Sequence, residues 1–262
     1  MGSLVLLGAA YGVIEEGLMV ASFQNPHWMD LGVLATFGRV WGINLVWVVE
    51  LTAYHSFVSI IIPIILVEQV YPERKDDSWL SGRWRKIVPA LFTLDVIVGF
   101  TLFAIIGDFW SPLPQYLLFI VVTFMLIIAA HRLPNNWARW GTAEIASPRR
   151  ITTISFVSAL ICALTFGVLP NILPNSTFFL VILVGLVIIV LTLHKLTSYN
   201  WFESRANHWL ALAAGPLLLL ILLSGIQEFD DKRVDDTSGM LLVGLFFLIS
   251  LIIMWYRNSR TV

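Results

Sequence analysis

An all-α, polytopic transmembrane helix bundle is the fold this sequence predicts, on three observations. Of 262 residues, 58% are hydrophobic and only 13% charged, with a mean hydropathy of +0.84. A soluble chain carries about 25% charged residues, so most of this surface does not meet water. The apolar residues also run continuously over about 20 positions, the length that crosses a bilayer as a helix. Strands of a membrane barrel alternate instead. Finally, the basic residues gather in every second connection.

Eight runs are drawn, at 3–23, 43–69, 87–109, 113–132, 151–170, 176–193, 209–226 and 239–256. The first lacks a basic residue ahead of it and soon meets Glu15 and Glu16. It reads as a retained helix, not a cleaved signal peptide, and leaves room for a longer natural N-terminus. Gly8 and Gly12 form a small-xxx-small face suited to close helix packing. Pro26 stops this helix. Residues 24–41 form an external, largely apolar segment. Its Trp28, Leu31, Leu34 and Phe37 make a stripe, either an interfacial helix or a lid over a site. The second run carries Pro63, which predicts tilt or a kink. Runs five to eight hold no ionisable residue well inside. The expected organisation is one integral membrane domain, with a polar-site half at 1–110 and an apolar scaffold half at 111–262. The acidic loop 227–236 reads as solvated. The single Cys162 reads as a small buried hydrophobe.

Orientation follows from charge. Arg74, Lys75, Arg83, Arg85 and Lys86 follow run two, and Arg132, Arg139, Arg149 and Arg150 follow run four. Lys195 and Arg205 follow run six, and Arg257 and Arg260 follow run eight. These thirteen of the 16 basic residues share one side, while Arg39, Lys232 and Arg233 lie opposite. The positive-inside rule then puts both termini in the cytoplasm. Trp28, Trp41, Trp79, Trp84, Trp110, Trp137, Trp140, Trp201, Trp209 and Trp255 fall at or beyond run ends, as an aromatic belt does. A net charge of −1 argues against a nucleic-acid partner. The lipid bilayer is the expected partner.

Glu15 and Glu16 stand inside an apolar run, where ionisable groups are costly and mark sites. At a rise of ~1.5 Å per residue, they lie roughly 18 Å in, His55 roughly 21 Å and Asp95 roughly 12 Å. Three adjacent helices thus bring carboxyls and an imidazole to similar levels. Helical periodicity places Asn44, Thr52 and Ser59 on the His55 face as a supporting polar stripe. Glu50 and Glu68 read as interfacial. Three chemistries suit the set: acid–base catalysis, a divalent metal with Zn²⁺ the best match for mixed N/O donors, and proton coupling in a transporter. Hydrogen bonding between helices is the purely structural alternative.

A glutamate pair in one membrane helix followed by a histidine in the next resembles the CAAX-protease and bacteriocin-processing (Abi) family of intramembrane metalloproteases. That family's pattern is Glu-Glu-x-x-x-Arg, then Phe-x-x-x-His, then a later His with Asn four residues on. Glu15–Glu16 and His55 match; Val20 replaces the arginine and Leu51 the phenylalanine. Asp95 and Gly99 stand near where the third motif is expected, and His131 and Asn135 keep its spacing. The resemblance implies a glutamate that activates water and a metal at or near His55. The chain also resembles uncharacterised prokaryotic multi-pass membrane proteins with Glu-Glu-Gly and Asn-Pro-x-Trp runs.

The leading expectation is a metal-dependent intramembrane hydrolase acting on a membrane-embedded peptide or small molecule. Glu15 and Glu16 are the catalytic carboxyls, and His55 and Asp95, with Glu16, the metal ligands. The alternatives are a proton- or cation-coupled transporter using the same residues, and a non-catalytic scaffold.

Overall fold

In hydrocarbon, each spanning segment must satisfy its own backbone N–H and C=O groups, and for these continuous apolar runs that leaves the helix. The computed structural model describes residues 2–29, 31–75, 77–133, 141–230 and 236–260. Among these, eight helices are long and apolar enough to cross a membrane. They are α1 (Gly2–Met19), α2 (Leu45–Val70), α3 (Trp84–Ile106), α4 (Leu113–Arg132), α5 (Pro148–Ile172), α6 (Asn175–Thr197), α7 (Ala206–Glu228) and α8 (Met240–Arg260). The chain is all-α and polytopic, as the eight runs predicted. Pro134, Asn135, Trp137, Arg139, Trp140, Lys232, Arg233 and the middle of the acidic loop lie outside the described residues.

Packing divides the chain into two units. The first comprises Met1–Ile61, Glu73–Trp137 and Leu169–Leu183. Its core gathers Val13, Phe23, Ile43 and Phe119, with the Phe23 and Phe119 rings 5.5 Å apart. The first apolar run reaches 23, but α1 stops at Met19. Ala21 turns the chain at φ 54°, and Ser22 and Phe23 fold back to become fully buried. A buried contact thus outweighs the helix propensity of an apolar sequence.

Residues 24–41 correct the expected interfacial helix. Among the described residues of this segment only Gly32–Ala35 are helical, as a short 3₁₀ turn, and Leu31, Leu34 and Phe37 of the stripe are buried within the unit. A hairpin follows, β1 (Arg39–Val40) against β2 (Ile43–Asn44). Its two-residue loop places Trp41 at φ 53° and Gly42 at φ 77°, the left-handed pair that tight hairpins favour. Polar side chains hold the segment. Arg39 donates from Nε to the Ala35 carbonyl at 2.7 Å, and from Nη1 to the carbonyls of Gln24 at 2.8 Å and Gly42 at 2.7 Å. Burial lowers the pKa of this guanidinium below its ordinary value. Gln115 of α4 donates to the Trp41 carbonyl at 2.7 Å.

The second unit comprises Ile62–Pro72, Ala138–Val168 and Val184–Val262. Its core joins Ala146, Ile151, Leu196, Tyr199, Trp201 and Ala211, with Trp209 and Trp255 packed against it. Three tryptophans expected in the aromatic belt therefore serve the core. The Trp201 and Trp209 rings lie 4.6 Å apart, and Trp201 Nε1 donates to the Leu196 carbonyl at 2.7 Å. Small residues let the helices approach: a Cβ on Gly215 of α7 would sit 2.4 Å from Ser155 Cβ of α5. Asn258 donates to Gln69 Oε1 at 2.8 Å, and Thr192 to Ser158 Oγ at 2.7 Å. Among the described residues of this unit, no Asp, Glu, His, Lys or Arg side chain is buried.

Candidate functional site

Glu15 and Glu16 lie in a π-helical stretch, Val13–Met19, at the end of α1. His55 opens a second one, His55–Ile61, inside α2. Such wide turns are rare and occur often at functional sites. Pro63 follows two residues after the second stretch, inside α2. The expected irregularity in run two thus takes the form of a widened turn.

The two helices meet through glycine. A Cβ on Gly8 would lie 2.7 Å from Ser56 Cα, and one on Gly12 would lie 3.0 Å from His55 Cβ. The small-xxx-small face of α1 is what lets the carboxyls reach the imidazole. His55 Nε2 is 3.1 Å from Glu16 Oε1. His55 Nδ1 is 3.0 Å from Ser59 Oγ and 3.3 Å from Glu15 Oε2. The last contact is close enough for an ion pair but is not a hydrogen bond; Glu15 Oε2 is buried without a hydrogen-bond partner. Glu16 is 9% and His55 7% exposed, whereas the Glu15 side chain keeps 29% of its surface. Glu15 therefore forms the open edge of the group. Tyr11 and Tyr54 stand edge-on to the imidazole, each 5.6 Å away.

Glu16 has a further partner. Ser22 donates its hydroxyl to Glu16 Oε2, and Trp47 Nε1 donates to Ser22 Oγ at 3.1 Å. Neither residue stood among the expected site residues. A signal was present in Trp47, the one tryptophan set about one turn inside a run and not at its end. An indole N–H away from water requires an acceptor.

The structure brings Glu15, Glu16, His55 and Ser59 together. One ligand atom from each of Glu15, Glu16 and His55 lies within 4.8 Å of the others. Asp95 is not among them: it is exposed on α3. The neighbouring turns of α3 take the contacts with α1 instead, with Phe92 stacked on Tyr11 and Gly99 pressed against Met19. Asn44 also stands apart. It caps α2 from an extended conformation, accepting from Trp47 N, and it donates to the carbonyls of Leu34 and Phe37. The helical phase that aligned it with His55 begins only after it. Thr52 stays on α2 one turn before His55, its Oγ1 buried without a partner. Glu50 Oε2 is likewise buried without a hydrogen bond, so it does not reach out as an interfacial residue. His131 is exposed at the end of α4.

Comparison with known proteins places the chain in a family. The model of a family described as an uncharacterized membrane protein family matches residues 1–214, and the chain belongs to that family. It is a multi-pass membrane protein. The match covers all of α1 to α6, the Glu–His group included, and lends no support to the CAAX-protease resemblance. No curated protein and no solved structure matches the chain.

Proposed function

We propose that the working centre is a divalent-cation site within the membrane, with Zn²⁺ the best-matched ion. Its use is hydrolysis of a membrane-embedded peptide or small molecule. The observation that carries this reading is the meeting of Glu15, Glu16 and His55 donors within 4.8 Å. One imidazole and two carboxylates form a mixed N/O set of the kind zinc accepts, and three protein donors leave a fourth position for water or substrate. The orphaned Glu15 Oε2 supports the fit, because a buried polar atom without a partner is costly. Glu15 replaces Asp95 as third donor.

Residue roles follow from what each atom already touches. Ser59 at Nδ1 holds the imidazole orientation and leaves Nε2 for the ion, as outer partners of ligating histidines do. Glu16 presents Oε1 beside Nε2. Glu15, the third donor, is the partly open carboxylate at the edge of the group, where water would enter. A bound zinc would supply Lewis-acid polarisation of that water.

One observation favours a second reading, proton-coupled transport. Trp47, Ser22, Glu16, His55 and Ser59 form an unbroken hydrogen-bond chain that needs no ion. Metal analysis of purified protein, wild type against His55→Ala, tests the first. Stoichiometric zinc in the wild type and its loss in the variant are expected. A metal-free wild type, with proton-driven uptake into vesicles that disappears in Glu15→Gln, would replace hydrolysis with transport.

A further inference from the structure

We infer that Ser22, oriented by Trp47, is the positioning residue of Glu16, and that this pair leaves Oε1, the oxygen facing His55, as the one that meets a cation. This rests on the reading of Glu16 as part of a working centre. Donor inventory fixes the first hydrogen-bond direction. An indole Nε1–H only donates, so at 3.1 Å from Ser22 Oγ it occupies a lone pair of the hydroxyl. The Ser22 O–H donates to Glu16 Oε2. With the Ser22 O–H directed at it, Oε2 is held in place and does not turn freely toward a ligand. Oε1 remains, 3.1 Å from His55 Nε2. Both outer residues are placed by the fold itself. Ser22 is fully buried because the chain turns at Ala21, and Trp47 lies in the first turn of α2 with its backbone N–H bonded to Asn44 Oδ1 at 2.9 Å. The segment after α1 therefore reaches the centre through one hydroxyl.

The test is zinc titration of the purified full chain in detergent, for wild type, Ser22→Ala, Ser22→Thr and Trp47→Phe. Hydrogen-bond partners of metal ligands are worth about 10–100-fold in metal affinity. A loss of that size is expected in Ser22→Ala and Trp47→Phe, with recovery to within a few-fold in Ser22→Thr, which keeps the hydroxyl. Wild-type affinity in Ser22→Ala overturns the inference. If Ser22→Ala does not fold, Trp47→Phe decides in the same way. A wild type that binds no zinc defeats the cation reading alone. The inference is then judged by the ¹⁵N resonances of the His55 ring in the metal-free protein, assigned by their loss in His55→Ala. They move in Ser22→Ala and return in Ser22→Thr if the pair orients Glu16, and unchanged resonances reject it.

Discussion

The two packing units solve one problem with different chemistry. Each must bury helices whose sequences are almost wholly apolar, where dispersion, small residues and a few hydrogen bonds supply the specificity. The second unit does so with tryptophans, glycines and neutral amide or hydroxyl pairs such as Gln69–Asn258. The first buries Glu16 and His55 against each other and leaves the carboxyls of Glu15 and Glu50 with orphaned oxygens. Neutral pairs meet the needs of packing. Buried acids with spare acceptor capacity exceed them, and that excess locates the candidate site in the first unit.

The contrast can be broken most severely at the imidazole. His55→Ala is expected to abolish zinc binding, while Thr192→Val, in the second unit, should leave metal content as in the wild type. Equal metal content in both variants would dissolve the distinction. Next in size is the α1–α2 approach. Gly8→Ala puts a Cβ 2.7 Å from Ser56 Cα and should cost about 1–3 kcal/mol as overpacking. Gly225→Ala in α7 meets only Leu241 Cδ1 at 3.6 Å and should be neutral or gain up to about 1 kcal/mol from helix propensity. Thermal unfolding in detergent reads both, and matching destabilisation would show that glycine packs alike in the two units.

Neutral pairing makes a smaller prediction. Asn258→Leu removes the donor to Gln69 and should cost about 1–3 kcal/mol, whereas Gln69→Leu combined with Asn258→Leu should recover much of it. A double variant as unstable as the sum of its singles would mean the pair does more than pack. The smallest expected effect is at Asp95. Its exposure on α3 predicts that Asp95→Asn changes stability by no more than about 0.5 kcal/mol and leaves zinc affinity unchanged. A metal-deficient Asp95→Asn would return this carboxyl to the ligand set.

Much of the architecture was readable along the chain. Hydropathy marks the eight helices because each spanning segment must bury about 20 apolar residues by itself, a property local to sequence. The Glu15–Glu16 and His55 pairing was legible for a related reason, since ionisable groups at that depth need partners and few were available. Phase misled where the helix did not extend. Asn44 was aligned with His55 by a period that starts one residue too late. Asp95 was placed by depth, which says nothing of the direction a helix turns its side chains. Ser22 carried no signal, because its role depends on a chain reversal at Ala21 within an apolar run.

Residue order alone determined which segments enter the membrane and which charged groups go with them, because transfer from water to hydrocarbon is summed over neighbours in the chain. Tertiary structure decided which of those groups meet. Contacts at 3 Å depend on where glycine lets two helices touch, on two widened turns, and on a hydroxyl returned from beyond the end of α1. None of these is written in the composition of a single segment.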